Sequence, residues 1–357
     1  MAQRFLVVMA GGSGTRFWPA SRAERPKQFL QLGDSGQTLL QATVHRAAAL
    51  VGKDHVYVVT NARHGQATRD QLPELGTDNI MLEPAARSTA PCIAWAAGHI
   101  RRRSPDAVIG VLPADPHIGD EGAFRDVLDR ALTAADGGSV VTIGIEPNRP
   151  ETGYGYVDEG EAVSDGVHRV RAFVEKPTRE MAEAFLKAGH YLWNSGMFFF
   201  RADTILREIE CHLPQLGEFV AACDDAARRG DEASFVQEAY AGLPRVSIDY
   251  GVMEKADDIL VVPGRFGWDD IGSWSAAWEL ARKDDEGNAR GGGEQLAVDA
   301  RGCYTTTRDG KLVALIGVED LIVVDTGDAL LVMPRDRAQD VRAVVDALRE
   351  GERDEYL

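Results

Sequence analysis

The chain has 357 residues, 44% hydrophobic and 27% charged, enough for one large domain with an ample core and a smaller second one. A formal net charge of −17 excludes a general nucleic-acid binder, because no basic field is present to displace counterions from a polyphosphate backbone. Cys92, Cys211, Cys223 and Cys303 form no CxxC pair, so reduced, mostly buried thiols are expected in place of a zinc or redox motif.

The opening run MAQRFLVVMAGG is too short for a signal peptide core or a bilayer span, which predicts a cytoplasmic protein with no membrane partner. Phe5 to Met9 reads as a buried strand, and it feeds AGGSGTRFWPASRAERPKQF, from Ala10 to Phe29. Gly11, Gly12 and Gly14 permit positive φ and let backbone N–H groups converge on an anion. Arg16 adds a fork that fits phosphoryl oxygens, Lys27 adds a compact charge, and Arg22 and Arg25 complete a basic cluster. Neither GxxxxGK[ST] nor GxGxxG is present, so the glycines alone fit a plain turn as well as a phosphate loop.

Thr38 to Gln41 forms a capping box for a helix running to about Leu50. Val56–Val59 and Ile80–Leu82 are further buried strands, and strands alternating with amphipathic segments indicate a doubly wound α/β sheet with ligands at its strand ends. The third strand runs into Glu83, Ser88 and Thr89, with Pro91 in the first turn of a helix, Ile93 to Arg102. A carboxylate such as Glu83 only accepts hydrogen bonds, and on the residues alone it reads first as a surface Glu before a proline turn. Ala107 to Leu112 leads to Asp115, which is placed to hold Mg²⁺ or to cap the next turn. Ser139 to Ile145 precedes Glu151–Tyr156, where glycines alternate with tyrosines, and Val174–Pro177 closes the next strand.

Thr178 to Gly189 reads as a helix with a glycine stop. Leu192 to Phe200 is a strand whose aromatics suit a core, with Asn194 able to donate to and accept from hydroxyls. Asp203 to about Gly242 is helical with no visible chemistry, Asp249 suits a helix N-cap, and Gly267 to Trp274 is an acidic turn entering a helix that ends near Lys283. Asp284 to Gly293 reads as a linker, dividing a domain at 1–283 from one at 294–357. Beyond it, apolar runs at Tyr304, Val313, Ile322 and Leu331 recur every nine residues, as in β-helix rungs or a meander. Asp336 is expected to cap a last helix with Ala338, Val341, Val345 and Leu348 on one face.

GGSGTRxxP followed by RPKQF resembles the signature of the sugar-1-phosphate nucleotidyltransferases, most closely that of mannose-1-phosphate guanylyltransferases, and the likeness covers roughly the first 280 residues. It implies a Rossmann-like nucleotidyltransferase fold, α/β with a mixed, mainly parallel sheet, and a small C-terminal β-rich domain that supports homo-oligomer contacts. No following isomerase domain is expected. The implied reaction takes mannose 1-phosphate and GTP to GDP-mannose and pyrophosphate by in-line attack without a covalent intermediate. On this resemblance Ala10, Gly11, Gly12, Gly14, Thr15, Arg16, Glu83, Ser88 and Thr89 hold the nucleotide, Tyr154, Gly155, Glu175, Lys176 and Asn194 hold the sugar, and the acidic residues of Ser247 to Lys255, Asp249 and Glu254, support the sugar side. Asp115 and Asp270 hold Mg²⁺, with Asp269 the second choice for the latter, and Arg16, Lys27, Asp115, Lys176 and Asp270 carry catalysis. Two departures from the pattern stand out: Ser88 replaces the family's frequent Asn, and Pro116 separates Asp115 from His117. The same parts also fit another sugar phosphate or nucleotide, or a non-catalytic sensor of GDP-sugars.

Overall fold

A computed structural model describes residues 2–357 except 13, 33–35 and 309. Packing groups the chain into two compact units, one made of residues up to Gly11, Val44–Ala114 and Ile118–Trp268, the other of Gly12–Thr43, Asp115–His117 and Asp269–Leu357. The division expected along the chain, 1–283 and 294–357, differs from this one, because packing assigns the glycine loop and both acidic turns to the unit that contains the C-terminal strands.

The strands are β1 (Arg4–Ala10), β2 (Val56–Asn61), β3 (Ile80–Glu83), β4 (Val108–Pro113), the two-residue β5 (His117–Ile118), β6 (Val140–Ile145), β7 (Tyr156–Ser164), β8 (Val167–Val174), β9 (Tyr191–Arg201), β10 (Ile259–Gly264) and the two-residue β11 (Trp268–Asp269). All but β5 and β11 form one sheet in the order β3-β2-β1-β4-β9-β6-β10-β8-β7. Only β9 and β8 run against the rest. The inner strands are buried on both faces: helices Thr89–Arg103 and Ala202–His212 join one apolar cluster with them, and helix Glu121–Asp136 also packs on β4, β6, β9 and β10. Phe198, Phe199 and Phe200 lie toward the C-terminal end of β9 and are buried, as their composition suggests.

Inserting β9 antiparallel between β4 and β6 has a local consequence. Trp193 comes to lie opposite Ile145, where β6 ends, and opposite Tyr156, where β7 begins, while Tyr156 also faces Val174, the last residue of β8. Three segments far apart in sequence thus meet at one sheet end. The capping box forms as expected, with Gln41 N donating to Thr38 Oγ1 at 3.2 Å and Thr38 N to Gln41 Oε1 at 3.0 Å. Asp249 does not cap a helix; it opens a π-helical turn, Asp249–Met253. All four cysteines are free, and Cys92, Cys223 and Cys303 are buried.

In the second unit β12 (Ala289–Gly292), β13 (Glu294–Val298), β14 (Tyr304–Thr307), β15 (Leu312–Ile316), β16 (Leu321–Asp325) and β17 (Leu330–Pro334) follow one another closely. β12, β14 and β16 pair in parallel, as do β13 and β15, so alternate runs belong to different sheets and the chain winds as β-helix rungs, with β17 returning antiparallel on β16. Two expectations are corrected. The glycine-rich stretch read as linker contains β12, and Asp336 lies inside a 3₁₀ segment, Arg335–Asp340, while the helix begins at Val341. Ala338, Val341 and Val345 do share a buried face, and they join Phe17, Trp18, Leu30, Leu39, Ile271, Trp274, Tyr304 and Ile322 in one apolar cluster. Among the described residues no helix is long and apolar enough to cross a membrane.

Candidate active site

β1 stops at Ala10, and the loop that follows turns through Gly12 (φ 103) and Gly14 (φ 56); Gly11 needs no positive φ. At Gly14 the backbone is close as well as left-handed, since a Cβ there would stand 2.7 Å from Lys27 Cβ and 2.8 Å from Lys27 N. The Gly14 carbonyl accepts from Phe17 N at 2.9 Å and from the Ser21 hydroxyl, so Thr15–Phe17 closes into a 3₁₀ turn. This geometry leaves Lys27, a residue of the second unit, buried at 7% exposed. Its Nζ donates to Asp115 Oδ2 at 2.9 Å and to the Asp270 backbone carbonyl at 2.5 Å, and lies 5.8 Å from the Phe17 ring centre.

Lys27 therefore joins the two acidic segments, a role the basic cluster did not suggest. Asp269 Oδ1 accepts from Ile271 N at 2.7 Å and so shapes its own turn. Asp270 faces Arg16 across Gly272, where an added Cβ would stand 3.2 Å from Asp270 Oδ2 and 3.1 Å from Arg16 Nη1. Among the described residues Arg16 makes no ion pair or side-chain hydrogen bond. The expected four-cation cluster is smaller than its sequence: Arg22 is held by Asp328 at 2.7 and 3.0 Å, and Arg25 has its pKa lowered by desolvation and by Arg308. Among the described residues no group of three or more His, Cys, Asp or Glu gathers as a metal cage. The partly exposed Asp115 carboxylate and Asp270, beside a space with no Cβ, still fit a hard cation that takes one or two carboxylates and fills its shell with phosphate and water oxygens.

In the first unit Glu83, at the end of β3, is 8% exposed and accepts a 2.5 Å hydrogen bond from the Tyr240 hydroxyl. Burial pushes its carboxyl up to about 6, with the Tyr240 bond pulling the other way. Glu83 is therefore no surface turn residue. Ser88 holds φ 68 ahead of the helix Thr89–Arg103, and Thr89 Oγ1 accepts from Ile248 N at 2.9 Å.

The other predicted group converges where β6, β7, β8 and β9 meet. Asn194 N donates to Gly155 O at 2.8 Å, Lys176 N donates to Tyr154 O at 3.2 Å, and the Lys176 ammonium pairs with Glu175 Oε1 at 2.8 Å. Burial opposes the Lys176 charge, but Glu175 outweighs it and the pKa is raised. Asn194 donates from Nδ2 to Asp249 Oδ1 at 2.9 Å and accepts from Thr142 Oγ1 at 3.1 Å, which fixes its amide. Burial, then the neighbouring Glu175, push Asp249 up to about 6. Tyr154 packs against Trp193 at 5.2 Å and Trp268 at 5.5 Å. Glu175 Oε2, Trp193 Nε1 and Trp268 Nε1 are buried and, among the described residues, have no hydrogen-bond partner.

Of the segment from Tyr240 to Glu254, sequence reasoning found the acidic part, as support for the sugar side, and missed Tyr240 and the contact at Ile248. The segment meets every predicted group of this unit in turn: Tyr240 on Glu83, Ile248 on Thr89, Asp249 on Asn194 and Glu254 Oε1 on Glu175 N at 2.9 Å. Its acidic pattern was visible, but its partners lie 55 to 159 residues away in the chain.

Two family models match the chain, that of nucleotidyl transferases over residues 6–287 and that of the MannoseP isomerase/GMP-like beta-helix domain over residues 293–348. A mannose-1-phosphate guanylyltransferase of Klebsiella pneumoniae is 44% identical over 356 residues, spanning 98% of this chain and 75% of that protein. One from Escherichia coli strain K12 is 44% identical over 372 residues, spanning 100% of this chain and 76% of the relative. A solved structure described as mannose-1-phosphate geranyltransferase from Thermus thermophilus superposes with a TM-score of 0.87 at 39% identity, covering 97% of this chain and 99% of that one. The chain belongs to the nucleotidyl transferase family, with the beta-helix domain of the MannoseP isomerase/GMP type following its catalytic region.

Proposed function

We propose that the chain transfers the guanylyl group of GTP to mannose 1-phosphate, giving GDP-mannose and pyrophosphate. The observation that carries this reading is the Lys27 ammonium shared by Asp115 and the Asp270 carbonyl, with Arg16 across Gly272, inside a chain whose full-length relatives are named for that reaction. The bond that forms joins a sugar phosphate oxygen to the α-phosphorus of GTP; the bond that breaks releases pyrophosphate. No covalent intermediate is required, so catalysis consists of positioning and charge stabilisation.

Within that reaction the amides of Gly11, Gly12, Gly14, Thr15 and Arg16 and the Arg16 guanidinium hold the phosphate oxygens, and Arg16 receives the charge that grows on the leaving group. Lys27 holds the Asp115 carboxylate in place. Asp115 and Asp270 would hold Mg²⁺, which when bound supplies positive charge to the reacting phosphate. Glu83, Ser88 and Thr89 serve the base. Lys176 binds the phosphate of the sugar substrate, while Glu175 Oε2 and the two indole N–H groups, already buried without partners, suit a ligand rich in hydroxyls. The test is pyrophosphate release with Mg²⁺, crossing GTP, ATP, UTP and dTTP with mannose, glucose and fucose 1-phosphates. GTP with mannose 1-phosphate should dominate; another preferred pair would overturn the substrate assignment, and no release from any pair would overturn the enzymatic one.

A further inference from the structure

Arg22 lies between Arg16 and Lys27 in the chain, and charge alone would group it with them. Its five N–H groups are instead all engaged inside the protein. Nη1 donates to Asp328 Oδ2 at 2.7 Å and to Glu355 O at 3.3 Å, Nη2 to Asp328 Oδ1 at 3.0 Å and to Thr326 Oγ1 at 3.4 Å, and Nε to Pro19 O at 3.0 Å. No donor is left for a phosphate. The pair is bidentate, which fixes orientation as well as charge. Asp328 is itself held in the turn between β16 and β17, where Thr326 Oγ1 donates to Asp328 Oδ1 at 2.9 Å and Thr326 N to Ala329 O at 3.0 Å.

The backbone around Arg22 ties this anchor to both catalytic cations. Arg22 and Arg25 exchange two backbone hydrogen bonds of 3.0 Å, setting the approach to Lys27, and Ser21 bonds back to Phe17 O at 2.9 Å and to the Gly14 carbonyl, setting the turn that carries Arg16. A second strut lies alongside: Trp18 Nε1 donates to Tyr356 O at 2.7 Å, and Trp274 Nε1 donates to Trp18 O at 3.0 Å, just beyond Gly272.

We infer that Arg22 is a positioning residue for nucleotide binding: clamped on Asp328, it holds the register of the glycine loop, so that the C-terminal strands form part of the nucleotide site. This rests on the reading of Arg16 and the loop as the triphosphate site. The experiment is steady-state kinetics of full-length Asp328→Asn and Asp328→Glu, well below their melting temperatures, with Arg16→Ala measured in parallel. Asp328→Asn should lower kcat/KM for GTP about fivefold, about 1 kcal/mol at 1.36 kcal/mol per tenfold, with KM for mannose 1-phosphate unchanged. Asp328→Glu, which keeps the charge, should recover to within about twofold of the parent. Unchanged kinetics in Asp328→Asn with only a lower Tm, or a parallel rise in both KM values, would overturn the inference. Arg16→Ala with an unaltered GTP dependence would instead overturn the reading beneath it.

Discussion

Replacing Glu83 with Gln separates the cost of a buried charge from its use. The carboxyl is 8% exposed and titrates near 6 because burial disfavours its ionised form, against an ordinary value of 4.5. A raised acid stabilises the fold fully below its unfolded value, near pH 4.5, and that contribution is lost as pH rises through the folded value, near 6. From the 4.5-to-6 difference, at 1.36 kcal/mol per unit, the ionised carboxylate costs about 2 kcal/mol above pH 6. Gln carries no charge and its Oε1 can still accept from Tyr240. Glu83→Gln should therefore be about 2 kcal/mol more stable than the parent at pH 7.5 and equal to it at pH 4, by urea unfolding followed through tryptophan emission. Trp95 reports from the same region, its ring 5.8 Å from that of Tyr240. The variant should also lose preference for GTP over ATP by about tenfold or more, since a charged acceptor has been removed. A variant less stable at pH 7.5, or a gain that persists unchanged at pH 4, would refute the account of Glu83 as a carboxylate held ionised at a cost.

Arg16→Ala should lower kcat by two decades or more, from about 2.7–4 kcal/mol of lost anion stabilisation, with an unaltered circular dichroism spectrum. Lys27→Met should lower turnover to a similar degree and weaken thermal stability, because Asp115 and the Asp270 carbonyl lose their shared donor; near-normal turnover would remove Lys27 from the site. Gly14→Ala should destabilise by more than about 1 kcal/mol in thermal unfolding, since φ 56 and a Cβ 2.7 Å from Lys27 Cβ both oppose a side chain. Asp249→Ala should raise KM for mannose 1-phosphate about tenfold with KM for GTP unchanged, because the Asn194 amide loses the acceptor that orients it.

The strands were legible because buried parallel strands are written as unbroken apolar runs, and the capping box because both its members are local. The nine-residue spacing of the last strands was equally plain, but choosing rungs over a meander required knowing that β14 pairs with β16 and β13 with β15. Composition misread Ala289–Gly292, whose glycines look like a linker and instead make room for neighbours: a Cβ on Gly291 would collide with the Tyr304 hydroxyl. At the candidate site the charged residues were visible and their directions were not. Arg22 and Lys27 look alike in a basic string, yet one is consumed by Asp328 and the other joins two acidic segments. Tyr240 sat in a stretch read as having no chemistry, because a tyrosine becomes a partner only when folding brings a carboxylate to it from 157 residues away.

The apolar cluster that unites Phe17, Trp18, Leu30 and Leu39 with Ile271, Trp274, Tyr304, Ile322 and Val345 also dictates an order of events during synthesis. The glycine loop is among the first segments to leave the ribosome, and its packing partners are among the last. At about 5–20 residues per second the loop must wait tens of seconds before those partners exist. Until then Phe17, Trp18 and Leu30 are apolar side chains without a home on a nascent chain, while the strands from β1 to β10 can already pair. The segment richest in candidate chemistry is thus made first and given its packing partners last, so an incomplete chain can pair its first strands before the glycine loop has the cluster it packs into.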